Sequence, residues 1–424
     1  MMVANRGEIA IRIFRAATEL NIRTIAVYSE EDSKSVHRFK ADEAYKVGKA
    51  GDPLGAYLDW KSIIKLAIER KVDAIHPGYG FLSENPEFAE ACEKNDIMFC
   101  GPTSDILKTF GDKLSAKKAA KESNILCIPG SDGPVDHVEE AVQMASSIGY
   151  PITLKALSGG GGKGIRIVET ASELREAFDR ARSEAQSSFG RADIYLEKMI
   201  VKPRHIEVQI VGDVSGNIVH LYERDCSVQR RHQKVVEMAP ARGISDETRA
   251  ELLNSAVKIG RHVDYVGVGT VEFLVDQSEK VYFLEVNPRI QVEHTVTEMV
   301  TGFDLVQASI MLAAGRKLSH PVMGIESQED IHCQGVAIQC RITTEDPQKN
   351  FAPDVGKILA YRPAQGFGIR LDEGLGTAGA IVTPHYDSLL VKVTVHSRDL
   401  YGAVQKMRRA LREFRIRGVK HNIP

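Results

Sequence analysis

From Glu285 to Glu293 the chain reads Glu-Val-Asn-Pro-Arg-Ile-Gln-Val-Glu, with Glu285, Asn287, Arg289, Gln291 and Glu293 at alternate positions. In an extended segment alternate side chains share a face, so this spacing predicts a continuous polar face over an apolar one. An ordinary amphipathic strand would carry Ser, Thr and Lys there. A series of acid, amide, guanidinium, amide and acid marks a site rather than a solvated acidic face. Upstream, Thr270–Asp276 and Lys280–Val286 read as two strands around a Gln-Ser-Glu turn. With Asp276 and Val281 flanking that turn as a pair, antiparallel counting sets Glu272 opposite Glu285. Two facing carboxylates repel. A divalent cation between them converts the repulsion into coordination, and Asn287 adds a further oxygen on the same face. Such an all-oxygen set suits Mg²⁺ or Mn²⁺ held together with substrate phosphates.

A second candidate is Ser158-Gly-Gly-Gly-Gly162-Lys163-Gly164, between a predicted strand at Pro151–Lys155 and another at Ile165–Val168. It is not a Walker loop. Leu157 stands where that pattern needs its first glycine, Gly164 follows the lysine in place of Ser or Thr, and no helix follows. Consecutive glycines lose much conformational freedom on folding, more than an ordinary turn requires. A glycine hairpin whose backbone N–H groups fold over a triphosphate accounts for them. Helical residues near 172–187 and a strand at Ile194–Glu197 complete a small mobile lid. A third cluster, Asp225–Glu237, holds Arg230, Arg231, His232 and Lys234 between strand-like flanks and is expected to face an anion.

The elements that position these groups follow from periodicity. Met1–Ala4, Thr24–Tyr28, Val72–His76 and Ile97–Cys100 read as strands, with an amphipathic helix over Glu8–Leu20 after a turn at Gly7. That alternation predicts a parallel α/β sheet. A single glycine at the first turn falls short of the dinucleotide fingerprint. His76-Pro-Gly-Tyr-Gly-Phe-Leu-Ser-Glu84 is a loop at the carboxyl end of a strand, where such sheets place ligands. Gly335–Ile342 and Leu389–His396 read as later strands, and Lys406–Lys420 as a basic helix and tail. The chain has 424 residues, enough for two or three domains, with a formal charge of −2 that gives no case for nucleic-acid or membrane binding. The six scattered cysteines lack a Cys-x-x-Cys spacing and are expected to be reduced thiols. No apolar run reaches membrane-spanning length. Both ends read as clipped, as in a domain cut from a longer polypeptide.

Asn5-Arg-Gly-Glu8, His76–Asn85, Phe110-Gly-Asp-Lys113, the glycine hairpin, Glu223–Lys234 and Asn287–Glu293 together resemble the biotin carboxylase family of the ATP-grasp superfamily over nearly the whole chain. Asn287-Pro-Arg289, His294–Glu298, Pro384–Val391 and Phe414–Lys420 resemble, within it, the biotin carboxylase domains of pyruvate carboxylases. The resemblance implies an N-terminal Rossmann-like α/β domain over 1–110 and an ATP-grasp domain over 111–320, with a lid at about 131–199. A C-terminal mixed α+β domain, truncated, takes 330–424.

By the same resemblance Lys113 and Lys155 hold ATP phosphates and Gly161 and Gly162 close over them. Glu197, Lys198, Met199 and Ile200 bind adenine, and His205, Gln229 and His232 line the ribose and phosphate side. Glu272, Glu285 and Asn287 fall on the metal positions. Lys234, Arg289, Gln291 and the Val292 backbone match the bicarbonate pocket, Glu293 the base that deprotonates bicarbonate, and Arg341 the arginine beside biotin. Lys163 stands where relatives often carry arginine, without that residue's bidentate geometry.

The implied reaction consumes ATP and bicarbonate through carboxyphosphate and carboxylates biotin. No Ala-Met-Lys-Met-like biotin acceptor is present, so biotin is expected on a carrier domain or a separate protein. A homo-oligomer in a bacterial cytoplasm or a mitochondrial matrix is expected. Alternatives are the carboxylase subunit of an acetyl-CoA or propionyl-CoA carboxylase, another ATP-grasp ligase such as half of a carbamoyl-phosphate synthetase, and a non-catalytic nucleotide-binding regulator. The last two are not expected to pair the Arg-His-Gln-Lys run with Arg289 and Glu293.

Overall fold

The computed structural model describes residues 1–156, 165–189 and 192–424. Its N-terminal part is a five-stranded parallel sheet in the order Glu43–Lys46, Ile25–Tyr28, Met2–Val3, Ala74–His76, Met98–Phe99. The winding reverses between Met2–Val3 and Ala74–His76, the switch point where open α/β sheets place ligands beyond their strand ends. Asn5 lies there and donates to the carbonyls of Pro77 at 2.7 Å and Tyr79 at 2.8 Å. Gly78 permits this approach, since it has φ +66° and a Cβ on it would stand 2.9 Å from Asn5 Nδ2. The edge strand Glu43–Lys46 was not anticipated, because four residues with charged ends carry almost no periodic signal.

The largest element is an eight-stranded antiparallel sheet in the order Val281–Asn287, Gly267–Val275, Arg204–Gly212, Ile218–Arg230, Gln233–Ala239, Val336–Thr343, Leu389–Ser397, Ile369–Glu373. One face of its first half is apolar, with Ile206, Val208, Ile210 and Phe273 in a core that also takes Leu252 and Ala256 of helix Asp246–His262. The other face alternates polar residues that are also buried, among them Glu207, Gln209, Thr270 and Glu272. Pairing of Gln233–Ala239 with Val336–Thr343 carries the sheet on, so the segments 111–320 and 330–424 share it.

The turn between Gly267–Val275 and Val281–Asn287 pairs Val275 with Val281 rather than Asp276 with Val281. Counted from there, Glu272 would face Leu284. A β-bulge between the Phe273–Phe283 and Glu272–Glu285 pairs takes up one extra residue and restores Glu272 opposite Glu285. The expected extended run to Glu293 stops at Asn287. Pro288 has no N–H for the ladder, and the Arg289 N–H closes onto the Asn287 carbonyl at 2.8 Å. Residues 288–293 then turn, and Glu293 becomes the N-cap of helix His294–Thr301.

Strands Ile165–Val168, Ile152–Ala156 and Ile194–Lys198 form a separate sheet, covered by helices Val138–Ile148 and Ala171–Phe189. This unit has its own core, including Leu154, Val168, Leu174, Phe178 and Leu196. The expected glycine hairpin, with Gly161, Gly162 and Lys163, lies outside the described residues. Near the end of the chain the helix expected within Lys406–Lys420, with a tail after it, runs over Leu400–Glu413. Phe414 leaves it at extended dihedrals, and Arg415–Arg417 pairs as a strand with Ala360–Arg362. All six cysteines are free. Among the described residues no single helix is long and apolar enough to cross a membrane.

Candidate active site

One cleft of about 1590 Å³ collects side chains from every part of the chain, including Glu8, Lys113, Lys155, Glu272, Arg289 and Arg341. At one end Glu272 and Glu285 are register partners. The Asn287 amide nitrogen stands between them, 2.9 Å from Glu272 and 3.5 Å from Glu285. Burial and the charge of Glu272 push the Glu285 carboxyl above its ordinary range. The set therefore fits a divalent cation: two hard carboxylates on adjacent strands and a side-chain amide whose oxygen replaces its nitrogen by a half-turn. His205 lies 2.6 Å from Glu272 by Nε2, and its Nδ1 is 3.1 Å from Gln229. His205 thus faces the acidic pair as well as the cleft. Gln229 also donates to the Cys226 carbonyl at 2.9 Å.

Lys234 is the hub of the next layer. Its ammonium lies 2.5 Å from Glu207, 2.8 Å from Glu272 and 2.7 Å from Glu293. Burial alone would depress its pKa, but Glu207, Glu293 and Glu272 hold it well above the usual lysine range. Glu293 accepts from Lys234 on one oxygen and from Arg341 at 2.9 Å on the other. Burial opposes its charge, and Lys234, Arg341 and Arg224 overcome that and hold it far below the usual carboxylate range.

Alternation predicts Arg289 on one strand face with Glu293, but the cation beside Glu293, besides Lys234, is Arg341. The turn after Asn287 points Arg289 to Glu84 of the His76–Glu84 loop and to Asn287 Oδ1 at 2.9 Å. Gln291 donates to Glu272 at 2.8 Å and accepts from Arg224 at 2.9 Å. The Val292 carbonyl accepts from Lys392 at 3.2 Å. Lys234 reaches the hub from the second strand of a hairpin, Ile218–Arg230 with Gln233–Ala239. Its two-residue turn sets Arg231 and His232 at φ +52° and +64°, the primed geometry that matches strand twist. His232 is exposed at the rim.

At the other end Glu197 is clamped between Lys117 and Lys155, the latter at 2.6 Å. Both lysines also lie beside the Tyr195 ring, 5.4 and 5.8 Å from its centre. Burial opposes ionisation of Glu197, yet Lys155 and Lys117 hold its pKa below the ordinary range. Lys113 faces the same cleft, and burial lowers its pKa. The Lys198 ammonium is tied to the Gly149 and Tyr150 carbonyls at 3.0 and 2.9 Å. Met199 and Ile200 line the cleft through the segment that leaves the small unit.

Sequence reasoning missed Lys117, Glu207, Arg224, Glu237 and Lys392. Arg224 is wholly buried and donates to Glu207, Gln209, Thr270, Gln291 and Thr297. Glu237 holds Arg341 at 2.6 Å. For Glu207 and Lys392 the available signal was the alternation of polar and apolar residues in Ile206–Ile210 and Val391–Val395, which reads as a solvent face until the sheet is seen to be covered on both sides.

A cleft with a lysine cluster at one end and an acidic pair with a guarded carboxylate at the other is the layout of an ATP-dependent carboxylase. Family models agree. "Biotin carboxylase, N-terminal domain" matches residues 1–107, "Carbamoyl-phosphate synthase L chain, ATP binding domain" residues 112–321, and "Biotin carboxylase C-terminal domain" residues 339–424. The biotin carboxylase domain of the 2-oxoglutarate carboxylase of Hydrogenobacter thermophilus, solved as a dimer with MgADP, ADP and bicarbonate, is 47% identical. It superposes with a TM-score of 0.94, covering 100% of this chain and 91% of that one. The chain belongs to the biotin carboxylase family of ATP-grasp enzymes. The pyruvate carboxylase of Bacillus subtilis is 57% identical over 424 residues, all of this chain and 37% of that protein, so the chain spans little more than a third of that relative. A biotin carboxylase of Campylobacter jejuni, solved as a β,γ-ATP complex, is 43% identical with a TM-score of 0.93, covering 99% of this chain and 92% of that one.

Proposed function

We propose that this chain carboxylates biotin at the expense of ATP and bicarbonate, as the first half-reaction of a pyruvate carboxylase, with biotin delivered by a carrier domain outside these residues. The reading rests above all on Glu293, a buried carboxylate kept ionised between Lys234 and Arg341 in a cleft that Lys113, Lys117 and Lys155 also line. The three lysines take the triphosphate. Glu272, Glu285 and Asn287 would hold Mg²⁺ or Mn²⁺, which supplies charge neutralisation along the phosphates when bound.

Bicarbonate entering beside Lys234 shares that cation with Glu293. With part of its positive surroundings diverted to the substrate, Glu293 becomes a stronger base and takes the bicarbonate proton, so that the oxygen can attack the terminal phosphate. Gln291 and the Val292 backbone shape the pocket. Arg289 and Arg341 are fixed guanidinium donors toward the negative charge that develops on the reacting groups. The small unit at about 131–199, with its own core, moves as a lid and excludes water from the carboxyphosphate, which hydrolysis would otherwise waste. Self-association as a dimer fits the same reading, as does a bacterial cytoplasm or a mitochondrial matrix. The deciding experiment measures ATP cleavage by the purified chain with and without bicarbonate and free biotin. Cleavage that requires bicarbonate and rises with biotin, with label from bicarbonate appearing on biotin, is expected. Cleavage indifferent to both would overturn the reading.

A further inference from the structure

The inner face of the C-terminal half of the large sheet carries a wholly buried lysine that this reading does not use. Lys392 is 0% exposed. It is the register partner of Arg341 on one side and of Asp372 on the other, so three charged side chains cross three strands on one face. Its ammonium lies 3.0 Å from Glu8 and donates to the Val292 carbonyl at 3.2 Å. Glu8 begins the helix Gly7–Glu19 and accepts from the Tyr79 hydroxyl. Gly374 backs it so closely that a Cβ there would meet the Glu8 nitrogen at 2.9 Å. Lys392 thus joins the helix Gly7–Glu19, the C-terminal part of the large sheet and the turn that presents Glu293.

A buried ion pair is a poor way to gain stability, since desolvation offsets its attraction and an apolar replacement of similar volume is often neutral or stabilising. The pair sits instead where it fixes a backbone group of the active turn. We propose that Lys392, held by Glu8, is a positioning residue that sets the Val292–Glu293 backbone at the height from which Glu293 meets bicarbonate. This rests on the proposed function above, and it assigns the pair a role in the reaction rather than in folding.

The test uses the Glu8→Gln/Lys392→Met double variant, which removes both charges together and leaves Asp372 its pair with Arg370, and Glu8→Gln alone as a milder change. In the double variant MgADP affinity is expected within twofold of the parent, because the lysine cluster is untouched. Bicarbonate-dependent ATP cleavage should fall by about tenfold to a hundredfold at fixed bicarbonate, the scale of a misplaced reacting group. Amide exchange of the peptide covering 289–298 should quicken. Glu8→Gln alone should raise the bicarbonate KM severalfold with the ATP KM unchanged, and it decides the matter if the double variant does not fold. A folded variant with the parent's bicarbonate KM, kcat and exchange pattern overturns the positioning role. A parent without bicarbonate-dependent cleavage overturns the functional reading instead, and the exchange measurement still reports whether Lys392 holds the turn.

Discussion

The two ends of the cleft are built from the same residue types in opposite proportion. At one, the carboxylate of Glu197 serves Lys117 and Lys155, and Lys113 is acted on by Glu285 as well as Glu197. At the other, Glu207, Glu237, Glu272, Glu285 and Glu293 share Lys234, Arg224 and Arg341. Charge left over in a low-dielectric site is costly unless something neutralises it. Lys117 and Lys155 share one carboxylate, whereas five carboxylates gather round three cations. On the proposed reading, a triphosphate with a divalent ion would satisfy both. Each half of that statement can be broken separately.

The largest effect is expected at the guarded acid. Glu293→Gln should stay folded and bind MgADP, yet lose biotin carboxylation by about a hundredfold or more, as loss of a general base does. Parent-like carboxylation of free biotin by the folded variant would remove Glu293 from the reaction. Next come the ligands. Glu272→Gln and Glu285→Gln each replace an anion with a neutral amide that cannot offset a cation's charge. Half-maximal turnover should then need roughly tenfold more Mg²⁺, about 1.4 kcal/mol of lost interaction. An unchanged Mg²⁺ dependence in both variants would leave the acidic pair without a metal.

A smaller effect belongs to the lysine end. Lys117→Met should raise the ATP KM by about tenfold and leave the bicarbonate KM where it was, since a charge contact to a phosphate is worth one to a few kcal/mol. Steady-state kinetics with each substrate varied in turn would show it; a change confined to bicarbonate would invert the assignment of the ends.

The smallest effect is on acid stability without ligands. Glu197 has a folded pKa below that of the unfolded chain, about 4.3 for glutamate. Its contribution is therefore present above that pH and lost as pH falls through the lower folded value. Glu197→Gln should flatten the fall of Tm with pH below about pH 4.3. His37, buried and pushed down to about 4, contributes with His76, His220 and His294, likewise pushed down by burial, to an earlier slope that both proteins share. Their contribution starts to be lost as pH falls below about 6.5, where the unfolded histidines take up their protons. Identical profiles for the parent and Glu197→Gln would mean that the lysine clamp contributes nothing to folding.

Much of the arrangement was legible in the chain. Strand and helix periods marked the parallel N-terminal sheet, and alternation after Thr270 put Glu272, Glu285 and Asn287 on one face because side-chain direction in a strand is a local property. The register held even though the turn was misjudged by one residue, since the bulge compensated for it. The run to Glu293 failed for a local reason that was also visible: Pro288 cannot take part in the ladder. Residue type alone suggested a cation site and a phosphate site, while the base role of Glu293 came only with the family resemblance. What the sequence could not determine is who meets whom across the sheet. Glu293 takes its second cation from Arg341, 48 positions away, and Arg289 is drawn to Glu84, 205 positions away. Lys392 and Thr394, which alternate with valines like an ordinary solvent face, are wholly buried. Those pairings depend on strand order and on which face is covered. Both are decided by packing between distant segments, to which a local pattern carries no pointer.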